Sequence, residues 1–147
     1  MFKFEEFRMS PRRLLVVQSC VALACVGASA LTLVQAQGAV PPMRSEGAVR
    51  YACGGIGVDE STAMRAAMKS HPLSLLFARN DGAYLADVTV TLTGGPGGAP
   101  VQLRAGGPVC LLNLPAGNYT VEAVTDGMSK RQTVTVGGAP KTLDFRF

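Results

Sequence analysis

From Leu73 onward, apolar and polar residues alternate with a period of two, the spacing at which side chains of an extended strand share a face. Leu73, Leu75 and Phe77 alternate before the turn residues Asn80-Asp81-Gly82. Tyr84, Ala86, Val88, Val90 and Leu92 then fall on one parity, with Asp87, Thr89 and Thr91 on the other. The glycine-rich stretch Gly94-Gly95-Pro96-Gly97-Gly98 breaks the chain before a short strand at Val101–Leu103. A nearly continuous apolar strand follows at Val109–Leu114, and Tyr119, Val121 and Ala123 alternate after it. Val134 and Val136, then Leu143, Phe145 and Phe147, complete the series. The pattern predicts about seven strands over residues 72–147, with turn signals roughly every 8–12 residues, hence a mainly β antiparallel sandwich. Between the strands no 3.6-residue period appears, which excludes a parallel α/β sheet.

One short helix precedes the strands. Tyr51-Ala-Cys-Gly-Gly-Ile-Gly57 reads as a turn leading to Asp59, whose carboxylate can cap the free amides of the next turn. Glu60 to Lys69 is rich in helix formers, with the acid near the positive end and the lysine near the negative end. Pro72 stops the helix at Ser70-His71. Leu76 is apolar on the strand face that should be wet. The helix carries a stripe of Ala63, Met64, Ala67 and Met68, so we expect it to pack on the outer face or edge of the sheet and cover Leu76.

Composition changes the picture at the N-terminus. The chain has 147 residues, of which 48% are hydrophobic and 16% charged. Hydrophobic residues make up 22 of the first 36 but only 48 of the following 111, an ordinary proportion for a globular domain. Arg12 and Arg13 precede an uncharged run from Leu14 to Val34, and Ala28-Ser29-Ala30 and Val34-Gln35-Ala36 offer small-residue cleavage sites. Basic head, apolar middle and small-residue exit predict a secretory signal peptide over 1–36, with Met9 as an alternative start. A retained membrane helix is the competing reading, weakened by Gln18, Ser19 and Thr32. Residues 37–50, with Gly38, Pro41-Pro42 and Gly47, read as a flexible tether. The expected address is the periplasm or the exterior, with no stable membrane anchor after cleavage.

Removal of the leader also removes Cys20 and Cys25, leaving Cys53 and Cys110. Two cysteines in an exported chain most economically form one disulfide, and two buried free thiols are the alternative. One histidine and two cysteines are too few for a zinc site. Of the formal +4 charge the first 36 residues carry +2, so the remainder is near neutral, its basic residues scattered singly. Nucleic acid is not an expected partner.

Gly82-Ala-Tyr-Leu-Ala-Asp-Val-Thr-Val90 and Leu114-Pro-Ala-Gly-Asn-Tyr-Thr-Val121 together resemble the carboxypeptidase regulatory-like domains, β-sandwiches of the transthyretin/prealbumin type. The Leu-Pro-x-Gly-x-Tyr-x-Val turn is the most specific element, and the resemblance covers residues 72–147. Residues 51–71, a turn plus helix containing Gly-Gly-Ile-Gly-x-Asp-Glu, look like the front end of a group of exported proteobacterial proteins. The role the resemblance implies is non-catalytic: binding, folding support or spacing. Related sandwiches include 5-hydroxyisourate hydrolases, which need several histidines and a Tyr-Arg-Gly-Ser terminus. Here His71 stands alone and the chain ends Asp144-Phe-Arg-Phe147. Intradiol dioxygenases of related topology need paired Tyr and His iron ligands, which the sequence also lacks.

Three further chemistries bear on particular residues. Met64, Met68 and His71 recur at i, i+4 and i+7, and thioethers with an imidazole suit Cu(I), although methionine at helical spacing equally suits a core. Carbohydrate binding needs an exposed aromatic platform. Tyr84, Tyr119, Phe145 and Phe147 lie on the inward parity, which leaves Tyr51 as that platform. Gly54–Gly57 and Gly94–Gly98 are turns, not phosphate cradles, because neither has a following Lys-Ser/Thr. The expectation is a non-enzymatic exported module without a cofactor, acting on a protein partner in the cell envelope. The alternative is a small-ligand module, for sugar through Tyr51 or Cu(I) through Met64, Met68 and His71.

Overall fold

Strand-forming residues at every second position leave each strand with one apolar face, and two such faces can be hidden only against each other. The computed structural model describes residues 38–147. The leader over 1–36, with Met9, Cys20 and Cys25, lies outside the described residues. Among them are nine strands in two sheets and one helix.

The first sheet has the order β1 (Arg44–Glu46), β2 (Val49–Gly54), β6 (Val109–Asn113), β3 (Leu73–Ala78), β9 (Lys141–Arg146). The second runs β5 (Val101–Ala105), β4 (Val88–Gly94), β7 (Gly117–Thr125), β8 (Met128–Val136). Leu73, Leu75 and Phe77, Cys110 and Leu112, and Phe145 and Phe147 point inward from the first sheet. They meet Val88, Val90, Leu92, Leu103, Tyr119, Val121 and Val136 from the second. Phe77 and Phe145 stack at the centre, with ring centroids 5.8 Å apart. The architecture is a β-sandwich, as the alternation predicts.

Three expectations are corrected. The seven predicted strands all form, as β3 to β9, but two more pair in front of them. β1 and β2 make a hairpin around Gly47, whose φ of 58° suits a residue without a Cβ, so residues 44–50 are not a flexible tether. Val49, Tyr51 and Cys53 carry the alternation of β2, but the glycines and prolines around them mask it. Second, the sheets are not wholly antiparallel: β9 runs parallel to β3, from Leu73 opposite Lys141 to Ala78 opposite Arg146. The chain leaves β8 in the second sheet, turns through Gly137 and Gly138, and enters the first sheet in the direction of β3. Third, Asp59 is not the N-cap. The N-cap of helix α1 (Val58–Ala67) is Gly57, two residues earlier, and the acid that closes the turn is Glu60, whose Oε1 accepts the Gly55 amide at 2.7 Å. Asp59 sits in the first turn, where the helix dipole favours its charge.

The helix lies where Leu76 requires it. Met64, fully buried, packs with Val109 and Leu111 from the outer face of β6, and Ala67, Met68, Leu76 and Val40 close round this second cluster. One sheet therefore has two apolar faces, which is why β6 reads as a continuous apolar run rather than an alternating one. A 3-10 turn at Met68–Ser70 ends the helix before Pro72.

Cys53 and Cys110 are directly opposite each other on β2 and β6 and form a disulfide, with Cα atoms 4.1 Å apart. Such a separation belongs to a non-hydrogen-bonded antiparallel pair, where side chains approach most closely. Beside it Gly107 presses on β2, and a Cβ on Gly107 would run into the Gly54 carbonyl, whereas one on Gly106 would meet nothing. Gly107→Ala should therefore cost about 1–3 kcal/mol of stability. Gly106→Ala should stay within about 0.5 kcal/mol. Urea unfolding of the two variants side by side reads the difference.

The Leu-Pro-x-Gly-x-Tyr turn has a physical basis here. Tyr119 is buried in the core and its hydroxyl reaches back to donate to the Pro115 carbonyl at 2.7 Å. Burial raises the Tyr119 pKa, which keeps the proton needed for that bond. Tyr119→Phe should destabilise by about 1 kcal/mol, because the Pro115 carbonyl is left at the surface rather than buried. An unchanged urea midpoint would show that the bond contributes nothing to the turn.

Candidate functional site

Counting by twos from Tyr84 to Leu92 places Tyr84 in the core, and the structure places it outside. β4 begins only at Val88, and Asp87 before it takes the left-handed conformation, with φ of 59°. One left-handed residue reverses the parity of everything upstream. Leu85 is consequently buried and Tyr84 is 56% exposed. Aspartate accepts this conformation more readily than most residues. The Arg104 guanidinium lies 3.2 Å from the Asp87 carboxylate.

Tyr84 makes a bridge to Ala78 at the end of β3, which brings its ring beside α1. The Arg65 guanidinium stacks over that ring, 4.7 Å from the centroid, and its Nη2 donates to the Tyr84 hydroxyl. Arg65 is on the exposed side of the helix, and no carboxylate among the described residues lies within 4.0 Å of it. Across from this pair, Arg146 at the end of β9 donates to Asp144 at 2.7 Å. That hydrogen bond, and then the attraction of the same carboxylate, raises the Arg146 pKa, so this guanidinium stays charged.

These groups surround a cavity of about 320 Å³ whose floor is Met68, Leu76 and Ala78. Its lining is mainly apolar and its rim holds two cations and one anion. That composition suits an apolar group carrying a negative charge. An orienting aromatic and an arginine fixed against each other also form a preordered contact pair, which loses little entropy on binding.

The other candidate residues are placed elsewhere. Met64 is buried against β6, Met68 lines the cavity under Tyr84, and His71 lines a separate one with Lys69, Pro72, Leu114 and Pro140. His71 Nδ1 is 2.8 Å from the Ala67 carbonyl oxygen, at the end of the helix. The helical spacing of these three residues therefore does not bring them to one cavity, and Met64 acts as a packing residue. Tyr51 is half-buried against the main core and lines a third cavity with Arg44 and Arg104, so it is not a free platform. The exposed tyrosine is Tyr84.

The outer face of the second sheet is polar. Thr93, Thr120, Thr133 and Thr135 border a shallow hollow with Asn118. Nearby, the Ser129 hydroxyl and then Arg131 lower the Glu122 pKa, so this surface stays ionised around neutrality. Among the described residues, no group of three or more His, Cys, Asp or Glu side chains gathers as a metal site. Likewise no helix there is long and apolar enough to cross a membrane.

The class defined by this architecture is a disulfide-linked, two-sheet β-sandwich with a helix on one outer face. No family model and no curated protein matches the sequence.

Proposed function

We propose that the protein is an exported, non-catalytic β-sandwich module of the carboxypeptidase regulatory-like, transthyretin-type group, and that it docks a protein partner in the periplasm or outside the cell. Export is supported by the basic-apolar-small pattern of residues 1–36 and by a disulfide between the two cysteines beyond it. The sandwich type is supported by the Leu-Pro-x-Gly-x-Tyr turn and by the bond that Tyr119 makes within it.

The observation that carries the docking role is Tyr84: exposed, yet held by Arg65 over an apolar cavity. Tyrosine and arginine are the side chains most enriched among residues that dominate binding energy at interfaces. The same side of α1 also presents Val58, 83% exposed, two helical turns before Arg65.

A photo-crosslinking amino acid at position 84, in the full chain expressed in its native host, tests the reading. The expected result is a discrete protein adduct at position 84 that is absent when the crosslinker stands at Thr133 on the opposite sheet. The same adducts from both positions, or none from position 84, would overturn it.

A further inference from the structure

We infer that the cavity beneath Tyr84 recognises the C-terminal residue of a partner polypeptide, taking an apolar side chain onto its floor and the free carboxylate between Arg65 and Arg146. This inference rests on the docking role proposed above and names the part of the partner that is bound.

Charge is the first support. Arg65 and Arg146 bring two positive charges to the rim and Asp144 one negative, so the site is left with a single uncompensated cation. A monoanion completes it, and a planar guanidinium pairs with a planar carboxylate through two parallel hydrogen bonds. Arg65 is prepared for this: it is held over the Tyr84 ring with Nη2 donating to the hydroxyl, which leaves the Nε and Nη1 donors for a ligand at the rim.

Size is the second. About 320 Å³ is at the small end of ligand pockets, which run from about 300 to 1,000 Å³. One branched aliphatic side chain and its carboxylate fit such a volume, and an oligosaccharide or an extended lipid does not. The floor of Met68, Leu76 and Ala78 offers no charged group to a polar side chain.

The main chain of β9 supplies the third, and it favours a polypeptide over a free acid. In a parallel ladder each residue directs both its N–H and its C=O to one side, and successive residues alternate. The Lys141 amide bonds to Pro72 on the β3 side, and the Phe147 amide to Ala78. The even-numbered residues of β9 therefore face away from β3, and the Asp144 carbonyl does so, accepting from the Gln132 side chain. By the same alternation, the N–H and C=O of Arg146 point to the free edge of the sheet, on the side of β9 away from β3. A chain that pairs with Arg146 as an added strand would run along this edge and end beside the Arg146 guanidinium at the cavity rim, from where its last residue can turn over β9 onto the floor.

The test uses the full chain and an array of dye-labelled hexapeptides covering every residue at the last position, each as the free acid and as the amide. Peptides ending in Leu, Ile, Val or Met with a free carboxylate should bind at least about tenfold tighter than their amides, the scale of a charge-assisted bond. Arg65→Gln and Arg146→Gln, both exposed positions, should each remove that preference. Lys69→Gln, which lines a different cavity, should leave it intact. Equal binding of acids and amides, no binder in the array, or an acid preference that survives both arginine variants would overturn the inference. So would 4-methylpentanoate competing as tightly as the best peptide, which would make the ligand a free acid. If the position-84 adduct still forms while the array is flat, docking at Tyr84 stands and C-terminal recognition falls.

Discussion

Replacing both Cys53 and Cys110 by alanine is expected to remove about 4 kcal/mol of stability, the loop-closure entropy for a crosslink spanning 57 residues. The effect should be near this value because the bridge joins neighbouring strands that are already paired in register, so oxidation asks little rearrangement of the fold. The link also fastens the β1–β2 hairpin to β6, and with it the base on which α1 packs. Urea unfolding of the oxidised protein, the reduced protein and the double variant checks it. Reduction should bring the unsubstituted protein to the midpoint of the variant and leave the variant unmoved. A difference below about 1 kcal/mol between oxidised and reduced protein would mean that the bridge constrains nothing the fold does not already hold.

Phe77→Ala should cost about 3–5 kcal/mol, the range for emptying a large aromatic from a closed core. Phe77 is fully buried on β3, which is paired on both sides, with β6 and with β9, so the strand is not free to close into the space. The Phe145 ring loses its stacked partner as well, a contact worth about 0.5–1.5 kcal/mol beyond the buried area. Phe77→Leu, which keeps most of the volume, should lose distinctly less, and a cycle with Phe145→Leu should return a coupling of that size. Domains of this kind have about 5–15 kcal/mol in all. Phe77→Ala combined with reduction should therefore leave the protein largely unfolded at room temperature, visible as loss of the sharp urea transition. A Phe77→Ala variant within about 1 kcal/mol of the parent would contradict the central placement of this residue.

The sandwich was legible because alternation is a local property. A residue in an extended chain points opposite to its neighbour whatever lies across from it, so Leu73, Leu75 and Phe77 declare one buried face without reference to any partner. The same locality gave Leu76 away: an apolar residue on the wrong parity demanded a cover, and the Met64 stripe on the helix was the available one. The cysteine pairing was legible for a different reason, since only Cys53 and Cys110 lie beyond the segment predicted to be a leader. The β1–β2 hairpin is not legible, because its alternation is only three residues long and stands among glycines and prolines.

The site escaped the sequence altogether. Parity counting assumes that each residue is extended, and Asp87 is not. A left-handed aspartate has no mark that separates it from an extended one in composition, so parity alone assigns Tyr84 to the core. The spacing of Met64, Met68 and His71 predicts one helix face, but α1 ends at Ala67, Met68 opens the 3-10 turn and His71 is extended after it, so the three side chains part.

By itself, the sequence determined the strands β3 to β9, their inward faces, the short helix and the need to cover the outer face of β3, because hydrophobic period and turn residues act over a few neighbours. Only the tertiary structure decided that β6 sits between β2 and β3, that β9 runs parallel to β3, and that Arg65, Tyr84 and Arg146 share one rim. Arg65 and Tyr84 are 19 residues apart, and Arg146 comes from the last strand. Their meeting depends on how two sheets and a helix close over a common core, a balance of long-range contacts that no local pattern encodes.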